Sequence, residues 1–172
     1  VISVDATCTS LADGSGDDWN SITAWGPTAL LPVFQLLGTD YKDKNINSLL
    51  LDSAENFDLF TKIDFTYQNA VSSVKVGKGV KSEGELIISG TKGYVYVPAP
   101  WWKTDYFEIR FENQNENKKY FYQLDGEGIR YELVAFIKSI ELNKTGSYID
   151  INISKEISSV MEDFNNNKFN KL

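Results

Sequence analysis

The sequence of 172 residues contains no histidine. That removes the commonest general base and the commonest metal ligand, and it rules out Ser-His-Asp or Cys-His chemistry confined to this chain. With only one cysteine, Cys8, no intrachain disulfide can form. This fits a reducing compartment, and the cytoplasm is the expected location. Cys8 falls in the alternating run from Val1 to Cys8 and reads as a small strand residue, since no imidazole is present to activate its thiol. Basic residues never form a block. Lys42 and Lys44, Lys118 and Lys119, and Lys168 and Lys171 are scattered among acids and amides in a chain of net charge -7. Phosphate backbones need clustered cations, so nucleic acid is not an expected partner. No apolar run approaches the roughly 20 residues that cross a bilayer, so no membrane is expected, and no signal-peptide pattern is visible. No metal site is expected. The chain also lacks an initiator Met and goes from Val1 straight into a strand pattern, which reads as a fragment.

What is present suits a globular domain. Hydrophobic residues make up 42% and aromatics 13%, much of the latter in strand-like runs, which favours a sheet-rich core. A single domain over residues 1–172 is the natural size. Residues 1–10 alternate as a strand. The Gly-rich stretch 11–18 reads as a loop without phosphate-loop spacing. Gly26-Pro27-Thr28 reads as the start of a helix that ends at Leu37 and is stopped by Gly38. Pro32 either kinks this helix or marks its true first turn. A series of strands then follows. Ile63, Phe65 and Tyr67 alternate with polar residues, Gln68-Asn69-Ala70 turns into 71–76, and 85–89 turns through Gly90–Gly93 into 94–97. The run 107–112 is joined by the polar tip 113–117 to 118–124. Short turns between neighbours indicate mainly antiparallel pairing. Two helices come last. The first carries the stripe Ile129, Leu133, Phe136, Ile137 and Ile140. The second, with Ser154 as a plausible N-cap, carries Ile157, Val160, Met161 and Phe164. The Asn-rich end from Asn165 is expected to fray. The predicted fold is α+β, a large, mainly antiparallel open sheet with helices packed on one face. Tyr94 and Tyr96 point one way and Val95 and Val97 the other. An apolar sheet face without helices predicts a docked domain or a homodimer through the sheet.

Several segments taken together, in order along nearly the whole chain, resemble the C-terminal domain of the Gfo/Idh/MocA oxidoreductases, the glucose–fructose oxidoreductase and inositol dehydrogenase relatives. The opening strand is similar to the first strand after that family's nucleotide domain. Gly26 to Gly38 is similar to the helix that begins near the family's Asp-x-Gly-x-His. Asp58 to Ala70 resembles its acidic-start strand and turn. Leu86 to Gly93 resembles its Gly-Thr-x-Gly turn, and Gly128 to Phe136 its late helix. The resemblance implies a parent protein in which an N-terminal Rossmann domain, missing here, binds NAD or NADP. The C-terminal sheet would then supply a sugar or nucleotide-sugar pocket and a dimer interface. No Gly-x-Gly-x-x-Gly follows a strand in this chain, so none of the cofactor half is present. At the Asp-x-Gly-x-His position the sequence reads Ala24-Trp25-Gly26-Pro27-Thr28. Ala24 replaces the acid and Thr28 the histidine, and a hydroxyl does not act as an acid or base near neutral pH.

The stretch Val97 to Tyr106 is the most unusual. Two prolines stiffen it, and in an extended chain Trp101 and Trp102 would point apart. A Trp face stacking on a sugar, with Lys103 and Asp105 hydrogen-bonding, competes with a packing role for one of the rings. Lys103 or Tyr106 is a weak candidate for the missing proton carrier. Trp25 and Thr28 are read as flanking a helix N-terminus, where free N–H groups favour anions. The candidate substrate residues are therefore Trp25, Thr28, Trp101, Trp102, Lys103 and Asp105. Asp17-Asp18 as a cation site, and Gly77-Lys78-Gly79 with Lys75 and Lys81 as a phosphate contact, compete with readings as a solvated loop and a solvated turn. Arg130 and Glu132 read as surface or domain-interface charges. The alternative to a substrate-side half of an oxidoreductase is a carbohydrate-binding or assembly module that has lost the chemistry.

Overall fold

The computed structural model describes residues 1–11, 20–52, 57–123, 126–143 and 149–172. The Asp17-Asp18 pair lies outside them. The strands are β1 (Ser3–Ser10), β2 (Asp43–Asp52), β3 (Phe57–Thr66), β4 (Val71–Lys78), β5 (Leu86–Ser89), β6 (Tyr94–Val97), β7 (Tyr106–Arg110), β8 (Lys118–Phe121) and β9 (Asn170–Lys171). The helices are α1 (Ser21–Leu37), α2 (Ile129–Glu141) and α3 (Ile151–Asn165), with short 3-10 turns at Gln114–Glu116 and Gly126–Gly128. All nine strands form one open sheet in the order β8-β7-β6-β5-β1-β4-β3-β2-β9. Pairing is antiparallel except for β1 with β4 and β2 with β9. This is the α+β open sheet read from the sequence.

Alternation in the strands decides which face is buried. Val4, Ala6 and Cys8 of β1, Val74 and Val76 of β4, and Ile63 and Phe65 of β3 point to the α1 side and are almost wholly buried. They meet Ile22, Ala29, Leu30, Val33 and Phe34 of α1, while Ile153, Val160 and Phe164 of α3 extend the same core. Across the sheet from them, Asp5, Ser73, Asp64 and Asn45 stand in one cross-strand row. The central strands are therefore polar on the far face, a correction to the idea of an uncovered face that is apolar throughout. Aromatics reach that face at Phe60 of β3, whose ring covers Gly77, and near one edge, where the Arg110 guanidinium lies 4.4 Å from the centre of the Tyr96 ring.

Three local readings also change. α1 begins at Ser21, five residues before Gly26-Pro27, and keeps both Pro27 and Pro32 inside it. Each proline removes one helical hydrogen bond, yet the helix continues because its buried face packs on three strands. Gly26 serves close approach instead, lying against Ile22 and against Met161 of α3. Helix α3 starts at Ile151 with Asp150 as its cap, so Ser154 lies inside the helix. The Asn-rich end does not fray throughout. Phe169 stacks on Phe164 at 4.7 Å and β9 pairs with the edge of β2. No described helix is long and apolar enough to cross a membrane.

Candidate functional site

The parallel pair β1 and β4 ends on one side of the sheet, and the first turn of α1 is tied to that same end. Asn20 caps the helix, its side chain accepting from Thr23 N. The second acceptor comes from another strand. Asp58 of β3, fully buried, accepts Ser21 N at 2.7 Å through Oδ1 and the Thr61 hydroxyl through Oδ2. Ser21 Oγ donates to the Asp58 carbonyl and accepts from Lys78 N of β4, each at 2.9 Å. Burial pushes the Asp58 pKa up, and the hydrogen bonds from Thr61 and Ser21 work against that rise. The α1 amides on which an anion would sit are thus already used by Asn20 and Asp58. Trp25 and Thr28 lie past the first turn rather than beside a free N-terminus, which corrects the anion-site reading.

One turn beyond Ser21, Trp25 leans back over the end of β1, its Nε1 donating to Ser10 Oγ at 3.1 Å. Its ring lies 4.9 Å from that of Trp102, tilted by 49°. Trp102 in turn meets Trp101 edge to face at 6.0 Å. The two neighbouring tryptophans do not point apart. Residues 101–103 form a turn, closed by Lys103 N donating to Pro100 O, and period-two alternation holds only in extended chain. Trp101 Nε1 donates to Thr7 O at 3.2 Å and Trp101 N to Gly84 O at 3.0 Å, so this ring is a structural strut between β1 and the 84–86 segment. Gly84 is small for a reason: a Cβ there would sit 3.2 Å from the Trp102 ring. Beneath the cluster, burial raises the Cys8 thiol pKa to about 12, leaving it inert although the Trp101 indole N–H beside its sulfur acts the other way.

The structure thus brings Trp25, Trp101 and Trp102 together, all three partly buried against the core. Thr28 follows Trp25 on α1 and is partly buried, as is Ala24. Lys103, the last residue of that turn, and Asp105, two residues on, are exposed. Tyr106 belongs to a different cluster, with Lys119 Nζ 3.6 Å from its ring centre and the Phe121 ring at 5.8 Å. Lys81 is exposed and donates to Ser82 O, and Lys78 holds α1 through its backbone. A separate open depression of about 490 Å³ lies between Tyr94, Glu108, Arg110 and the 111–117 tip. Arg110 holds the Glu108 carboxyl below its usual range there. Among the described residues no group of His, Cys, Asp and Glu is arranged to hold a metal ion. Two contacts near the tryptophans, Asp58 with Ser21 and Gly84 with Trp102, are not marked by the sequence. Each joins residues far apart along the chain, which no local pattern signals.

This fold, an open sheet with α1 across its centre, has solved counterparts. A 3-ketoreductase from Actinomadura kijaniata, solved with NADP and TDP-benzene, matches 99% of this chain with 54% of its own, at a TM-score of 0.79 and 11% identity. UDP-N-acetylglucosamine 3-dehydrogenase from Acidithiobacillus ferrooxidans matches 93% of the chain with 51% of its own, at a TM-score of 0.75 and 12% identity. The chain spans about half the length of these proteins, and at such identity the likeness is one of fold. No family model and no curated protein matches the sequence.

Proposed function

We propose that the chain is the substrate-side half of a two-domain NAD(P)-dependent oxidoreductase of the Gfo/Idh/MocA type, acting on a sugar or nucleotide-sugar. The observation that carries this reading is α2. Its residues Ile129, Leu133, Phe136, Ile137 and Ile140 are each more than half exposed, and none of its side chains is buried. A stripe of that kind on a soluble helix calls for a partner surface. The solved counterparts carry about as much chain again as this one matches. A Rossmann domain docked on α2, with Arg130 and Glu132 at its margin, satisfies both observations.

In this reading Trp25 and Trp102 form the apolar wall on which a sugar ring stacks, while Thr28, Lys103 and Asp105 supply polar groups at its rim. The cofactor belongs to the partner domain. This chain has no Gly-x-Gly-x-x-Gly, and the first-turn amides of α1 are already bonded. The uncovered sheet face near Tyr96 and Arg110 is the proposed homodimer surface. The alternative, a non-catalytic carbohydrate-binding or assembly module, is favoured by Ala24 and Thr28 in place of the family's acid and histidine. Hydride transfer from NADH and NADPH to nucleotide-linked keto-sugars separates the two. The chain alone is expected to give none and the full gene product to turn over. Turnover by the isolated chain overturns the proposal, and sugar binding without redox activity in the full product supports the module.

A further inference from the structure

We propose that Asp58 is a positioning residue for the aromatic site, setting the Trp25 ring against Trp102 by holding the first turn of α1. This role rests on the sugar-site reading above.

Asp58 has no exposed surface, and it accepts from the Ser21 amide and the Thr61 hydroxyl. A buried carboxylate must be satisfied by donors, and one of its donors comes from the helix turn it positions. Oδ1 takes Ser21 N, the Asp58 carbonyl takes Ser21 Oγ, and Ser21 Oγ takes Lys78 N. Oδ2 takes Thr61 Oγ1, which also bonds Ser48 Oγ at 2.7 Å, so β2 is drawn into the same chain of bonds. One helical turn separates Ser21 from Trp25, and Trp25 has a single further polar anchor, Ser10 Oγ. The 4.9 Å contact with Trp102 is therefore fixed at one end by Ser10 and at the other by Asp58 acting through α1.

The tilted Trp25 and Trp102 indoles couple their transitions and give a paired circular-dichroism band, separated from the Trp101–Trp102 contribution as the part that Trp25→Phe removes; it reads ring geometry, and loss of stability alone does not move it while the chain stays folded. Asp58→Ala, read on the folded plateau of a urea titration, is expected to lose that band. It is also expected to bind UDP-N-acetylglucosamine, the probe used, about tenfold more weakly, since a displacement near an ångström is enough for such losses. Asp58→Asn keeps an acceptor for Ser21 N and is expected to retain both. If Asp58→Ala does not fold, Ser21→Pro serves. Proline is tolerated at a first helical position and removes both Ser21 donors while leaving Asp58 in place. A folded Asp58→Ala or Ser21→Pro chain that keeps the paired band overturns the positioning role. Failure of the wild-type chain to bind the probe, with the band behaving as expected, counts against the sugar-site reading and leaves the positioning role standing.

Discussion

Truncation of Trp102 gives a graded prediction. Its ring contacts Trp25 at 4.9 Å and Trp101 at 6.0 Å, and it lies over the bare Cα of Gly84. Aromatic pairs are worth about 0.5–1.5 kcal/mol each beyond the area they bury. Two such pairs give about 1–3 kcal/mol. The ring is only partly buried, so the total for Trp102→Ala should stay below the ~3–5 kcal/mol of a core tryptophan. We expect about 2–3 kcal/mol, seen in urea as a midpoint lowered by about 1 M for a slope near ~2 kcal/mol/M. A double-mutant cycle with Trp25→Ala isolates the pair and should return a coupling of about 1 kcal/mol. The same change should weaken UDP-N-acetylglucosamine binding by tenfold or more while leaving the oligomeric state unchanged. A cycle with coupling under ~0.3 kcal/mol would show that the two rings do not pack together. Complete unfolding would make Trp102 a core residue instead of a pocket wall.

Two further outcomes follow from named contacts. Lys168 and Lys44 hold the Asp163 carboxyl below the usual carboxylate range. A depressed carboxylate stabilises the fold above its unfolded pKa of 3.8 and ceases to do so as pH falls through the lower folded value. Asp163→Asn should therefore cost about 1 kcal/mol at neutral pH, or about 3 °C in Tm. That deficit should shrink as the pH drops below 3.8, and a deficit constant down to pH 2 would refute the assignment. On α2, Leu133→Glu with Ile137→Glu should change the stability of the isolated chain by less than about 0.5 kcal/mol, since neither side chain is buried. In the full gene product the same pair should loosen the two domains, read as faster proteolysis between them. A large loss of stability in the isolated chain would mean that α2 packs within this domain.

The strands most open to reading were those with clean alternation and short turns. Tyr94–Val97 is bounded in the structure as the residues suggest, and the amphipathic run from Ile129 forms α2 as its spacing predicts. β2 shows no such alternation: its first six residues carry one apolar side chain, Ile46, and three leucines then follow in a row, so pairing with β3 supplies most of what holds it. Gly26-Pro27 imitates a helix entry in the sequence, whereas the true start of α1 is made by Asn20 and by a carboxylate 37 residues away from Ser21. At the site, the tryptophans themselves were legible as unusual residues. Their meeting was not, because it depends on a turn at 101–103 and on α1 crossing the end of β1.

The most direct test of the two-domain reading is to determine the coding sequence immediately upstream of Val1. The account predicts about one domain's length there, opening with a strand followed by Gly-x-Gly-x-x-Gly. A start codon or a secretory signal directly upstream of Val1 would leave no room for a nucleotide domain and would contradict it.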